Sequence, residues 1–294
     1  SERAADARAG VGKVLVEAGR PAEAEPILRE ALERQRAVHG EVDPRTIATV
    51  AALGAALETA GRPAEAIKLY RSVEEKAVAA HGAGHQDVLT LANNLATALY
   101  IQGRFDEALP ILDKALRGCR ESLGNDHPDT ITAISNLASV CESVGDYERA
   151  TALYEEAFAT AQRVLGDDHP RTLTAANNTA FIYERTAQEE DAERLYRDTL
   201  ESRRRVLGER HPETLNTTFN LAALLLRTGR AEAAEPLFRT NLAGRRARVA
   251  QGDAPADNAA LIDSIRGLAV TMDRLGRNEE AARLMGELED LRRD

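Results

Sequence analysis

Glycine returns every 42 residues along this chain. Gly19, Gly61, Gly103 and Gly145 keep that interval, Ala187 takes the fifth slot and Gly229 the sixth. A second set, Gly40, Gly82, Gly124, Gly166 and Gly208, runs at the same spacing. Self-similarity at a period of tens of residues restricts the fold to a stack of like units, because one such unit cannot bury its apolar face alone. Stacked units present long concave surfaces, so the period points to binding rather than catalysis.

The unit at residues 126–166 reads as two helices. Asp126 is placed to cap the first, with Pro128 in its first turn, where a missing N–H costs nothing. Ile131, Ile134, Leu137, Ala138 and Cys141 form one apolar stripe at helical spacing. Gly145 suits a left-handed cap. The second helix carries Ala150, Leu153, Tyr154, Ala157, Phe158 and Ala161 inward, and Gly166 ends it. First helices are expected near 3–18, 45–60, 87–102, 129–144, 171–186, 213–228 and 258–275. Second helices are expected near 21–38, 63–80, 105–122, 147–164, 189–206, 231–249 and 278–292. The fold class is all-α, one solenoid over 1–294 with repeats near 3–40, 45–82, 87–124, 129–166, 171–208, 213–250 and 258–294.

Three departures stand out. The last step is longer, through Gln251-Gly252-Asp253-Ala254-Pro255. Ala187 must find another turn geometry or carry left-handed strain of roughly 1 kcal/mol. Pro26, Pro110 and Pro236 share a register early in second helices, tolerable where that side meets solvent.

Net charge is −10 and acidic residues outnumber basic ones in both halves, which argues against phosphate-driven nucleic-acid binding. The basic runs Arg203-Arg204-Arg205 and Arg245-Arg246 read as solvated helix faces paired with Glu. Arg greatly exceeds Lys and Ala is abundant, a bias of GC-rich bacterial genomes. Cys119 and Cys141 fall on apolar faces and are expected to be buried thiols. No membrane span or signal peptide is apparent, so a cytoplasmic location is expected. The chain opens Ser-Glu-Arg within a repeat, as a piece of a longer polypeptide would.

The stretches Asn94-Leu95-Ala96, Gly103-Arg104-Phe105-Asp106-Glu107-Ala108, Asn136-Leu137-Ala138 and Asn220-Leu221-Ala222 with Gly229-Arg230 resemble the tetratricopeptide repeat. The longer period, with linkers such as Leu165-Gly166-Asp167-Asp168-His169-Pro170, is similar to its kinesin light chain class. That resemblance implies a right-handed superhelix whose first helices line a peptide-binding groove. It does not imply a kinesin subunit, and similar arrays occur in bacterial regulators behind nucleotide-binding switch domains.

In the family an asparagine on the first helix holds the backbone of the bound peptide, and Asn94, Asn136, Asn178 and Asn220 match it. An amide both donates and accepts, so it can bond an extended chain in either direction. Asn93 and Asn177 double the ladder, with Ser135 between them. Thr97, Tyr100, Ser139, Phe181, Arg185 and Arg227 should share that surface. The ladder is absent at Gly10, Ala52 and Gly267.

Catalytic motifs and a cofactor are not expected. His85, His127, His169 and His211 recur one per repeat, too far apart for one metal, and read as helix-start residues. The expected function is a non-catalytic scaffold or sensor binding a protein or peptide segment, with neither nucleic acid nor membrane as partner. The other readings are a clamp on a switch domain of the same polypeptide and a self-associating architectural protein.

Overall fold

Each 42-residue unit folds as an antiparallel helix pair, in a computed structural model that describes residues 2–250 and 255–291. Fourteen helices and no strand occur among the described residues. The first helices are α1 (Glu2–Glu17), α3 (Pro44–Thr59), α5 (Gln86–Ile101), α7 (Pro128–Ser143), α9 (Pro170–Arg185), α11 (Pro212–Arg227) and α13 (Pro255–Arg274). The second helices are α2 (Pro21–His39), α4 (Pro63–His81), α6 (Phe105–Leu123), α8 (Tyr147–Leu165), α10 (Glu189–Leu207), α12 (Ala231–Ala250) and α14 (Asn278–Asp290). Residues 251–254 of the long last linker lie outside the described residues. None of the described helices is long and apolar enough to cross a membrane.

Interior first helices begin one residue earlier than the pattern predicts, and the caps explain it. Asp126 was the expected cap of α7, but His127 occupies that position and its Nδ1 accepts the Asp129 N–H at 3.2 Å. A residue before proline is pushed out of the helical region, and His127 accordingly sits at φ −72°, ψ 138°. His169 and His211 cap α9 and α11 in the same way, at 3.1 and 3.2 Å. At α5, His85 is the cap while His81 bonds Val42 O through Nε2 at 2.6 Å.

The stripe read from residues 131–141 is buried, as are Ala150, Leu153, Tyr154, Ala157 and Ala161, while Phe158 is half-buried. Pro26, Pro110 and Pro236 lie inside their helices on exposed faces, where an unmade backbone bond meets water. Cys119 and Cys141 are buried and free, and burial pushes the Cys119 thiol up to about 11.

The helices group into two compact units, 1–160 and 161–294, divided within α8. In the first, α1 to α6 pack each on the next and α6 on α7. The first helices also touch their successors, α1 with α3, α3 with α5 and α5 with α7. The second unit repeats this, with α9 touching α11 and α11 touching α13. Consecutive first helices therefore lie side by side within each unit, with the intervening second helix packed against both.

Ala187 resolves the question raised by its slot. It adopts φ 60°, close to the 68° of Gly103, and the following Gln188 N–H bonds Tyr183 O at 2.8 Å just as Arg104 N–H bonds Leu99 O at 2.9 Å. The turn is kept and the strain is carried. Ala187→Gly is expected to raise stability by roughly 0.5–1 kcal/mol, the left-handed penalty removed less the entropy cost of glycine. A lower urea midpoint for that variant would contradict the assignment.

Candidate functional site

Two grooves between neighbouring first helices gather the residues singled out in the sequence. In the first unit a cavity of about 210 Å³ lies between α5 and α7 over α6. Asn93, Ala96, Thr97 and Tyr100 line it from α5, Leu112 from α6, and Asn136, Ser139 and Val140 from α7. Ala96, Leu112 and Val140 are buried and form its floor; Asn93, Asn136 and Ser139 are half-buried, and Thr97 and Tyr100 are exposed at the rim. Asn93 Oδ1 is buried without a hydrogen-bond partner.

The corresponding amides in the second unit are engaged. Asn177 Oδ1 accepts from Thr217 Oγ1 at 3.1 Å and from Asn220 Nδ2 at 3.4 Å. Asn177 and Asn220 also border a groove of about 310 Å³ with Asn216, Phe219, Asn241, Arg245, Ala260, Asp263 and Ser264. Asn241 is fully buried, donating to Leu215 O at 2.5 Å and accepting from Ser264 Oγ at 2.5 Å.

The basic runs correct the sequence reading. Arg204, Arg205 and Arg246 are exposed, with Arg205 on Asp168 and Arg246 on Glu287. Arg203 and Arg245, expected on solvated faces, are buried at 1% and 4% exposure. Arg203 donates to Glu213 Oε2 and Glu213 O, both at 2.8 Å, and to Thr217 Oγ1 at 2.6 Å. Burial pulls its guanidinium below the usual range against the pull of Glu213. Arg245 bonds Asn216 Oδ1. Of the two, Arg245 lines the second unit's groove and makes it polar to its floor, whereas the floor of the first unit's groove is apolar.

Asn94, Asn178, Ser135, Phe181, Arg185 and Arg227 line neither groove. Asn94 and Asn178 are half-buried, and Ser135 Oγ turns back to Ile131 O at 3.0 Å. Phe181 is exposed; Arg227 pairs with Glu184 at 3.4 Å and Glu189 at 2.7 Å. Sequence reasoning missed Leu112, Val140, Asn216, Asn241, Arg245 and Ser264. Four of these lie on second helices or on the irregularly spaced last pair, outside the first-helix register that drew attention to the asparagines.

No group of three or more His, Cys, Asp or Glu suited to a metal occurs among the described residues. The arrangement offers amides at a helix face, an apolar slot and one buried cation, Arg245, which is recognition chemistry. The tetratricopeptide repeat pattern matches residues 3–77, 87–162, 134–205 and 180–247. The chain belongs to the tetratricopeptide repeat family.

Solved structures share this fold. Kinesin-light-chain-type repeats of Podosopora anserina are 22% identical, with 69% of this chain and 96% of that one covered and a TM-score of 0.60. A Rap protein complexed with Competence and Sporulation Factor is 15% identical over 96% of this chain and 72% of that one, at a TM-score of 0.64. A signal transduction ATPase of Pyrococcus horikoshii with a tetratricopeptide repeat sensor is 16% identical at a TM-score of 0.66. It is covered over 41% of its length by 96% of this chain. No curated protein sequence matches this tetratricopeptide repeat chain significantly.

Proposed function

We propose that this tetratricopeptide repeat chain is a non-catalytic interaction module that binds an extended protein segment along its first helices, as a scaffold or sensor. One observation carries the reading. Asn94, Asn136 and Asn178 are half-buried, yet their side chains make no hydrogen bond among the described residues, so each amide retains a donor and an acceptor. Structural asparagines would spend those groups on neighbouring helices, as Asn177 and Asn220 do. The fold neighbours complexed with a factor, or described as a sensor, support the same reading.

The test compares the chain with Asn136→Ala/Asn178→Ala in a pull-down from cell lysate, followed by titration of the captured partner. Losing several backbone hydrogen bonds is expected to weaken binding tenfold to a hundredfold, roughly, with helicity and melting unchanged. Unaltered binding by the double variant defeats the groove mechanism.

A second reading is an intramolecular clamp on a switch domain. The horikoshii ATPase favours it, since the region matched by this chain is less than half of that protein. A nucleotide-binding domain encoded in the same polypeptide, and competing with the captured partner, would establish it.

A further inference from the structure

Three of the five interior repeats set a tyrosine of the second helix against a glutamate of the first. Tyr70 of α4 donates to Glu58 of α3 at 2.8 Å. In the same register Tyr154 bonds Glu142, and Tyr196 is set against Glu184. All three rings are buried, and burial raises the carboxyls of Glu58 and Glu184 above the usual range. Phe238 keeps a ring in the sixth repeat, beside Leu226 in the acid's slot.

The third repeat departs at both positions. Leu112 stands where the ring belongs, and Tyr100 stands where the acid belongs. Tyr100 does not fill the space: it is 39% exposed, packs edge-on against Phe105 with ring centroids 5.4 Å apart, and accepts from Ser143 Oγ at 3.2 Å. The cavity of about 210 Å³ opens between these two residues. A dry cavity of about 150 Å³ already admits benzene.

The same wall contains the partnerless Asn93 Oδ1. Asn177, two repeats on, is satisfied there mainly by Thr217; the residue in that register opposite Asn93 is Ala133, which has no hydroxyl to offer. A buried acceptor left unpaired costs about 1–3 kcal/mol, which a donor in the cavity would recover once the half-buried Asn93 amide turns its oxygen toward it.

We propose that this groove receives a tyrosine side chain of the bound segment, its ring over Leu112 and Val140 and its phenol donating to Asn93 Oδ1. The inference rests on the peptide-groove reading and adds to it the residue that the third and fourth repeats select.

The probe is p-cresol, the tyrosine side chain itself, titrated into protein labelled at Leu and Val methyls, with toluene as the donor-free control. Saturable shifts at Leu112 and Val140 are expected, with p-cresol binding about tenfold tighter than toluene. Leu112→Tyr, which restores the ring of the neighbouring repeats, should abolish the shift at Val140, the reporter that remains. Should that variant fold poorly, Thr97→Trp covers the exposed rim without entering the core and should do the same. Equal binding of the two probes, or shifts that survive both substitutions, overturns the proposal. A displayed random-peptide library separates the two readings. Peptides that need Asn136 and Asn178 yet show no tyrosine preference refute the pocket and leave the groove standing. Tyrosine-bearing peptides indifferent to Asn136→Ala/Asn178→Ala refute the groove instead.

Discussion

Glu213→Ala is expected to cost about 2–4 kcal/mol, far more than a partly exposed glutamate normally would. Its partner Arg203 is 1% exposed, so removing the carboxylate strands a cation that water cannot reach. The lower end of that range allows for solvent at Glu213, whose side chain is 43% exposed. Urea unfolding measures it, with the exposed Glu209→Ala as a control expected within about 0.5 kcal/mol. Adding Arg203→Met to Glu213→Ala should restore much of the loss, because an apolar side chain of similar length needs no counter-charge. A double variant weaker than Glu213→Ala alone would show that Arg203 matters for its packing and its bonds to Thr217 and Glu213 O rather than for its charge.

Gly118→Ala should be comparably damaging, at about 2–3 kcal/mol, although alanine is the better helix former. A Cβ on Gly118 would lie 2.6 Å from the carbonyl carbon of Ala83 and 2.7 Å from Gly84 N. Both are backbone atoms of a linker, which cannot rotate aside as a side chain can. Gly10 is the opposite case: it sits within α1 and an added Cβ meets nothing within 4 Å. Gly10→Ala should therefore stabilise by roughly 0.5–1 kcal/mol through helix propensity. Thermal melts of the pair should move in opposite directions. If both glycines tolerate alanine alike, α6 and the 82–85 linker are not in close contact.

The helix pairs were legible because they are local. The period places the turns, helical spacing places Ile134, Leu137 and Cys141 in one stripe, and all are buried. The site was legible only in part. Asn93 and Asn136 stand out in the sequence as repeated amides, and they meet in one groove with Thr97, Tyr100 and Ser139. Leu112 did not stand out, since an apolar residue at a core register looks ordinary until the neighbouring tyrosines are aligned with it. The buried arginines carried a similar signal unread: Arg203 and Arg245 occupy the register of Cys119 and Ala161, both buried. Composition of the Arg203-Arg204-Arg205 run suggested solvent, but helical geometry turns each residue of it to a different side.

By itself, then, the sequence determined the unit, its two helices, its glycine turns and the recurrence that makes the chain a tetratricopeptide repeat array. These depend on dihedral preferences and on apolar spacing over a few turns, which neighbouring residues dictate. Only the tertiary structure decided which amides are spent on each other and which stay available, that Ala187 keeps a glycine's turn, and that two arginines enter the core. The amide outcome depends on atoms about 40 residues away in the adjoining repeat, where one missing hydroxyl at Ala133 changes what a groove can hold, and the buried arginines depend on partners beyond their own helix.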